Sequence, residues 1–208
     1  MSETTERRSL LSRVGRWTAE LVLVFVGVYA AFWLNNFQQH QEQSRQRDQI
    51  LASLEQELET GIRNTKTQVT GAERELREFQ QALQNGNRPP LRRFTFTTDY
   101  NPGDIATLLQ AGGIELLEVK TLTILREFES VVRWGLSRMA HYQKLSDELI
   151  IPNLGADPAA FYKEDGRELQ ERFAFYPEAL QARRDFFKEL EQKQTQLLDQ
   201  IKTERRGR

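Results

Sequence analysis

Residues 51–83 read LASLEQELETGIRNTKTQVTGAERELREFQQAL, and the spacing of their apolar residues decides the fold. Leu54, Leu58 and Ile62 are four residues apart, and from Ile62 the small or apolar positions alternate steps of three and four as far as Leu83. This is the spacing of a heptad repeat, in which one stripe of a helix packs against a partner helix. The successive steps of four around Leu58 form a stutter, which locally unwinds any supercoil.

The helix that carries this repeat is predicted to be long. Between Asn36 and Gln84 there is no proline, and Gln, Glu, Arg and Leu, all good helix formers, dominate. Gly61 and Gly71 weaken the helix by up to about 1 kcal/mol each relative to alanine and are candidate bend points. Residues 85–90, NGNRPP, must end it, because proline removes an amide donor and Asn-Gly favours a turn.

Toward the N-terminus, residues 17–37 read WTAELVLVFVGVYAAFWLNNF, with Glu20 as the one ionisable residue. At ~1.5 Å of rise per residue this stretch spans roughly 30 Å, the thickness of the hydrocarbon core of a bilayer. Trp17 and Trp33 lie near its ends, where tryptophan favours the membrane interfaces. The stretch therefore predicts a transmembrane helix, with the lipid bilayer as its partner, that continues into the long helix.

The unbroken apolar run, from Leu21 to Leu34, is short enough to be the core of a cleavable signal peptide as well. Cleavage requires small residues just after the core, whereas this core ends in Phe32, Trp33 and Leu34. A retained anchor is therefore favoured, and cleavage is the alternative.

Positive charge predicts the orientation of the anchor. Four arginines precede the apolar stretch, and Arg45 is the first Lys or Arg after it. Because Lys and Arg are enriched on the cytoplasmic side, we predict a short cytoplasmic N-terminus (1–16), a transmembrane helix (17–37) and an extracytoplasmic helical bundle domain (38–208). The absence of cysteine fits an oxidising compartment without requiring one.

Two further long helices are predicted. One runs from about Thr121 to Ile150, with Pro152 just past its end, and the other opens at Pro177. Heptad steps recur in the last helix at positions 180, 183, 187, 190, 194, 197 and 201. The two heptad-patterned helices are natural antiparallel partners. The predicted fold class is therefore all-α: a single N-terminal transmembrane helix that continues into a long helix, which packs in an antiparallel extramembrane helical bundle.

Shorter elements are predicted between the long helices. Residues 95–98 alternate as an extended segment would, and a short helix is expected after Asn101, with Gly112-Gly113 as its stop. Another short helix is expected around Glu168 to Phe175.

The charge of the chain limits its partners. The net charge is −1 and 28% of residues are charged, so no overall field attracts nucleic acid. The basic end, residues 202–208, is interpreted as a solvated, frayed terminus, and Glu55, Glu57 and Glu59 as a solvated helix face.

The sequence contains no catalytic, cofactor-binding or metal-ligand constellation, so no enzyme and no cofactor are predicted. Cysteine is absent, and the two histidines, His40 and His141, match no known ligand spacing. His40 is interpreted as an interfacial surface residue and His141 as a surface or hydrogen-bonded core residue. The aromatic residues of the predicted bundle are expected to fill its core, and a small-molecule ligand is neither indicated nor excluded.

The most specific interaction hypothesis concerns one stripe of the predicted anchor. At 100° per residue, Gly27, Ala31 and Asn35 fall within about 60° of Glu20. Small residues four apart allow helices to approach closely in lipid, and an intramembrane carboxylate normally faces a partner or water. The stripe predicts packing against an identical helix or a membrane-protein partner. Pairing of Glu20 with Arg13 or Arg16 near the headgroups is an equally good interpretation of that carboxylate.

Two segments carry a resemblance to a known family. The anchor, Glu20-Leu21-Val22-Leu23-Val24-Phe25-Val26-Gly27 through Ala31 to Asn35-Asn36-Phe37, resembles that of uncharacterised bacterial single-pass membrane proteins with a domain of unknown function. Residues 108–114, LLQAGGI, followed by Leu117, resemble an internal segment of the same family. Phe37 stands where tryptophan is usual. The resemblance implies a fold type and a location in the bacterial inner membrane, and it carries no activity or catalytic residues.

Two function classes follow from these features. The first is a membrane-anchored structural or interaction module that acts by self-association or partner recruitment. The second is a sensory or ion-coupled auxiliary subunit of a membrane complex, in which Glu20 titrates or the bundle binds a ligand. The predicted cytoplasmic part is too short to hold an output domain, which favours the first class.

Overall fold

The computed structural model describes the backbone of residues 3–96, 114–164 and 168–207, and side chains in these ranges from residue 23 onward, except that of residue 114. Three long helices dominate: α1 (Glu3–Gln84), α2 (Val119–Leu149) and α3 (Phe175–Arg206). Short 3-10 helices lie at Ile114–Leu116, Ile151–Asn153, Pro158–Phe161 and Glu171–Phe173. The described residues form no β-strand, which confirms the all-α fold class.

The chain divides into two compact units, Met1–Arg47 and Asp48–Arg208. Within the described residues, no helix combines the length and the apolar character that crossing a bilayer requires. The side chains of Trp17 and Glu20, at the start of the predicted transmembrane helix, lie outside the described residues.

The second unit has a closed apolar core in which the predicted heptad stripes are buried. Leu58, Leu76 and Phe79 of α1 are buried, while Ile62, Val69 and Leu83 are half-buried against the same core. On α3 every predicted heptad position is buried except Arg183, which is partly buried. Phe128, Val132 and Met139 are the main contribution of α2.

The helix boundaries agree with the sequence to within two residues. α1 ends at Gln84, and Gly86 takes a positive φ of 75°, which only glycine adopts at little cost. α2 ends one residue before Ile150. α3 begins at Phe175, so that Pro177 lies in its first turn, where its missing amide hydrogen costs nothing.

The predicted helix around Glu168 to Phe175 is wrong over its first half. Leu169 instead forms an antiparallel bridge with Tyr162, and the Gln170 side-chain amide donates to the carbonyl of Ala160 at 2.9 Å. These bonds tie the backbone to the preceding turn, so the 3-10 helix is confined to Glu171–Phe173. The expectations for residues 97–113, including the short helix after Asn101 and its stop, lie outside the described residues.

Ion pairs between α1 and α3 show that the two helices are antiparallel neighbours. Lys202 Nζ lies 2.8 Å from Glu59 Oε1, Lys188 Nζ lies 2.6 Å from Glu73 Oε1, and the pairs Arg205–Glu55 and Arg183–Glu75 follow the same direction. The interpretation of Glu55 and Glu59 as a solvated face is therefore wrong, because α3 supplies a cation to each.

The basic C-terminal segment is likewise not frayed. α3 continues to Arg206, and the Glu204 carboxylate is buried. It accepts hydrogen bonds from the backbone N–H of Glu118 at 3.1 Å and from Thr121 Oγ1 at 2.5 Å. Glu204 thereby caps the N-terminus of α2, where a negative charge is favoured and where Glu118 makes no cap of its own.

Candidate interaction surfaces

Residues 23–37 of α1, the apolar segment, expose every one of their side chains. The exposed fraction reaches 76% for Leu23 and 73% for Phe25 and Phe32. Because successive helical residues point 100° apart, this continuous run is apolar on all sides. A helix with that character is normally covered by protein or by lipid.

The predicted stripe lies on this exposed surface. Gly27, Ala31 and Asn35 are all exposed, and a Cβ added at Gly27 would meet no atom within 4 Å. The structure does not test whether Glu20 joins them, since its side chain lies outside the described residues. Trp33 and Phe37, one turn apart, stack with ring centroids 5.9 Å apart.

Trp134 corrects the expectation that the bundle aromatics fill the core. Phe94, Phe128 and Phe173 are buried, as expected, but Trp134 on α2 is 55% exposed. It belongs to an outward surface on which basic residues outnumber acidic ones. This basic face of α2 exposes Arg126, Arg133, Trp134, Arg138, His141 and Lys144, with Glu127 and Glu148 beside them.

The exposed tryptophan is held in place by its neighbours. The Arg138 guanidinium lies 5.2 Å from the centre of the Trp134 ring and 5.8 Å from that of Tyr142, so it is placed between two aromatic rings of the same helix. Arg138 Nη2 also donates to the Tyr142 hydroxyl at 3.4 Å. An exposed aromatic side chain fixed in this way loses little entropy when a partner covers it.

The outward surface of α3 has the opposite charge. This acidic face comprises Glu178, Asp185, Glu189 and Asp199, with exposed glutamines between them. Asp185 is paired with Arg184 on its own helix at 2.6 Å. Glu178 and Glu189 belong to no ion pair among the described residues.

A cleft of about 360 Å³ lies between the middle of α1, the segment before residue 97, and α3. Phe96 and Phe187 line it and stack with centroids 5.6 Å apart. Arg183, paired with Glu75, lies in its wall with the guanidinium 5.3 Å from the Phe94 ring centre. The Nε atom of Arg183 is buried without a hydrogen-bond acceptor in the described part of the chain.

Two tyrosines fix the segment that borders the cleft. The Tyr162 hydroxyl donates to the carbonyl of Pro89 at 2.7 Å, and the Tyr176 hydroxyl accepts from the backbone N–H of Arg92 at 3.3 Å. Burial raises the pKa of Tyr162 to about 12 and also raises the pKa of Tyr176. Both phenols therefore stay neutral and act as structural hydrogen-bonding groups.

The histidines occupy surface positions. His40 is exposed, and His141 is exposed with its ring 5.8 Å from that of Tyr142. Among the described residues, no three His, Asp or Glu side chains come close enough together to hold a metal ion.

Comparison with known proteins finds no matching family model, no similar curated protein and no similar solved structure. The family resemblance of the anchor therefore stays a prediction, and any function must be argued from the surfaces of the molecule.

Proposed function

We propose that this protein is a single-pass inner-membrane protein whose extracytoplasmic helical bundle acts as a structural or interaction module. One observation carries the proposal: the apolar segment exposes large apolar side chains on every side, whereas most large apolar residues of the second unit are gathered into a core. Lipid is the solvent that suits such a segment, and Trp17 and Trp33 mark its interfaces.

Self-association or recruitment of a membrane partner follows from the stripe of Glu20, Gly27, Ala31 and Asn35. The open space at Gly27 supports this, because another helix can approach its backbone without a clash. The bundle adds two outward faces of opposite charge and a fixed, exposed tryptophan. Aromatic and arginine side chains are enriched at the centres of protein interfaces.

The anchor is tested by placing charge within it. Phe25→Lys with Val28→Lys adds two ammonium groups, each of which costs ~2.5 to 3.5 kcal/mol at the centre of a membrane helix. The wild-type chain should remain in the membrane pellet after alkaline carbonate washing, and the double variant should be released or degraded. Gln38→Lys with Gln41→Lys, at the same spacing beyond the segment, should behave as wild type.

Release of the wild-type chain by carbonate would overturn the proposal that residues 17–37 anchor it in the membrane.

The orientation of the anchor is tested separately. Protease added to spheroplasts should remove the bundle, and full protection of the bundle would contradict the proposed topology.

The stripe is tested by adding bulk on one face. Gly27→Ile should weaken association of the anchor in a membrane oligomerisation assay, whereas Val26→Ile, on another face, should not. Equal association of the two variants would exclude the stripe. Glu20→Gln keeps hydrogen bonding but cannot exchange a proton. If assembly stays intact while cells that carry the variant show the phenotype of cells without the protein, the sensory or ion-coupled class is favoured.

A further inference from the structure

We propose that the basic face of α2 binds the acidic face of α3 in a second copy of this chain. The inference deepens the proposed function, since it rests on self-association and names the surfaces of the bundle that would produce it. Its argument uses only residues of the second unit.

The charged residues of the two faces lie at matching positions along the common direction of the helices. We call two residues level when they lie at the same position along that direction. Within one copy, α2 and α3 are antiparallel, because Glu127 pairs with Lys193 at 2.7 Å while a Cβ at Gly135 would lie 1.9 Å from the Phe186 ring. Each step forward along α2 therefore corresponds to one step back along α3. A second copy that is rotated about an axis parallel to the helices keeps these levels unchanged.

At two of those levels, a cation of α2 lies within one residue of an acid of α3. Arg133, two residues before Gly135, is level with Lys188, which is already paired with Glu73 of α1, and Glu189 is the next residue. Lys144, nine residues after Gly135, is level with residue 177, and Glu178 is the next residue. A difference of one residue is only ~1.5 Å along a helix, well within the reach of these side chains.

The charges on the two faces are available for such contacts. Arg133, Glu178 and Glu189 are exposed and have no ion-pair partner in the described part of the chain, and Lys144 makes only a 3.8 Å contact with the exposed Glu148. Surface ion pairs contribute little affinity, but they fix register and exclude wrong partners.

Trp134 supplies the apolar contact at the centre of this surface. It is level with residue 187, between Asp185 and Glu189 on α3, and can cover the aliphatic stem of Lys188. Arg138 holds the ring outward, so the side chain is already ordered before a partner arrives.

The proposal predicts the symmetry of the assembly. Two basic faces in contact would place Arg133 and Arg138 against like charges, which disfavours an α2–α2 dimer. A basic face on an acidic face is a heterologous contact, and each copy offers one of each. Repeated rotation about one axis parallel to the helices closes such contacts into a ring when the rotation angle is a whole fraction of a turn.

Disulfide trapping in the membrane tests the contact directly, because the chain contains no cysteine. Arg133→Cys and Glu189→Cys copies are expressed together as full-length chains and oxidised in isolated membranes. A disulfide-linked dimer of the two copies is expected. The control pairs Arg133→Cys with Glu178→Cys, which lies about 16 Å along the helix from Glu189 and should give at least fivefold less dimer.

Charge reversal tests the same contact without cysteine. Arg133→Glu alone and Glu189→Arg alone should each lower the oligomeric fraction of the full-length protein in mild detergent at least threefold. The double variant restores opposite charges at the contact and should recover the wild-type fraction. Glu57→Arg, an exposed change on α1, should leave the fraction unchanged.

Each remaining outcome is decisive. A wild-type chain that resists carbonate washing but is monomeric overturns this inference and leaves the anchor standing. Equal cross-linking of the test and control cysteine pairs has the same consequence. Oligomers that ignore both charge reversals but are lost in Gly27→Ile place self-association in the anchor and overturn it as well. Dissociation by each reversal with recovery in the double variant supports it, whatever the carbonate result.

Discussion

Two parts of helix α1 show how apolar spacing determines the surroundings of a helix. Residues 23–37 are apolar in nearly every position, and all are exposed in the structure. In residues 51–79 the small or apolar positions recur at steps of three and four. Leu51, Leu54, Leu58 and Leu76 are buried, while charged residues such as Glu57 lie exposed between them. One pattern fits a single packed seam, and the other is typical of a helix that protein or lipid covers on all sides.

The largest expected effect distinguishes these two parts by stability. Leu76→Ala removes a side chain that is 3% exposed and leaves a cavity between α1 and the rest of the core. The free energy of unfolding of the bundle should fall by ~2 to 5 kcal/mol. Val26→Ala removes an apolar side chain from the exposed part and should leave the denaturant midpoint of the bundle unchanged. An unchanged midpoint for Leu76→Ala would show that the heptad seam is not part of the core.

An intermediate effect is expected at two glycines with different surroundings. A Cβ at Gly135 would lie 1.9 Å from the Phe186 ring, whereas one at Gly71 would have no atom within 4 Å. Gly135→Ala should therefore destabilise the bundle by ~1 to 3 kcal/mol, because Phe186 is packed against Phe96 and Phe187 and cannot move freely. Gly71→Ala should stabilise it by up to ~1 kcal/mol through helix propensity. Equal effects of the two substitutions on chemical unfolding would contradict the close approach of α2 and α3.

The smallest effect concerns ion pairs at the surface of the second unit. Hydrogen bonds from Lys202, Lys188 and Arg93 hold the pKa of Glu59, Glu73 and Asp147, respectively, below their ordinary values. A lowered pKa in the folded state gives stability that is present above the ordinary value, 4.5 for Glu and 3.8 for Asp, and is lost as the pH falls through the folded pKa. The denaturant midpoint should therefore decrease between about pH 5 and pH 3.

Glu59→Gln provides the check on that decrease. The variant should lie slightly below wild type at about pH 6 and approach it as the pH falls below the folded pKa of Glu59, because both then lack the charge that pairs with Lys202. Glu57→Gln, at an exposed position of the same helix, should track wild type throughout. A midpoint of Glu59→Gln equal to wild type at about pH 6 would show that this pair adds nothing to stability.

Periodicity predicted the long helices, because it records which side of a helix is buried. The same periodicity also indicates the exposure of Trp134 and the burial of Glu204, which residue type alone does not suggest. Trp134 lies opposite the stripe that contains Val132, Leu136 and Met139, so its exposure was readable from its position. Glu204 follows Leu197 and Ile201 at the next heptad step, and that spacing, rather than its charge, marks it as buried.

Contacts between residues that are distant in sequence could not be predicted from local sequence patterns. Gly135 matters because Phe186, distant in sequence, lies against it. Ser146 is tolerated in the core because its hydroxyl accepts from the backbone N–H of Phe94 at 2.7 Å. Such contacts depend on how helices meet, which local propensity does not contain. The matching charges of α2 and α3 also became visible only when the level of each residue along the bundle was known.

The sorting of charge between α1 and α3 has a consequence for synthesis. Glu55, Glu59, Glu73 and Glu75 on α1 meet Lys and Arg on α3, so the acids of these four pairs all lie on the helix that is made first. Phe175, where α3 begins, leaves the ribosome long after Gln84, and in that interval the leucine seam of a nascent α1 has no partner. Two such seams from neighbouring nascent chains would lack the cations that α3 supplies to these glutamates, which favours the pairing of α1 with α3 over pairing with the wrong helix.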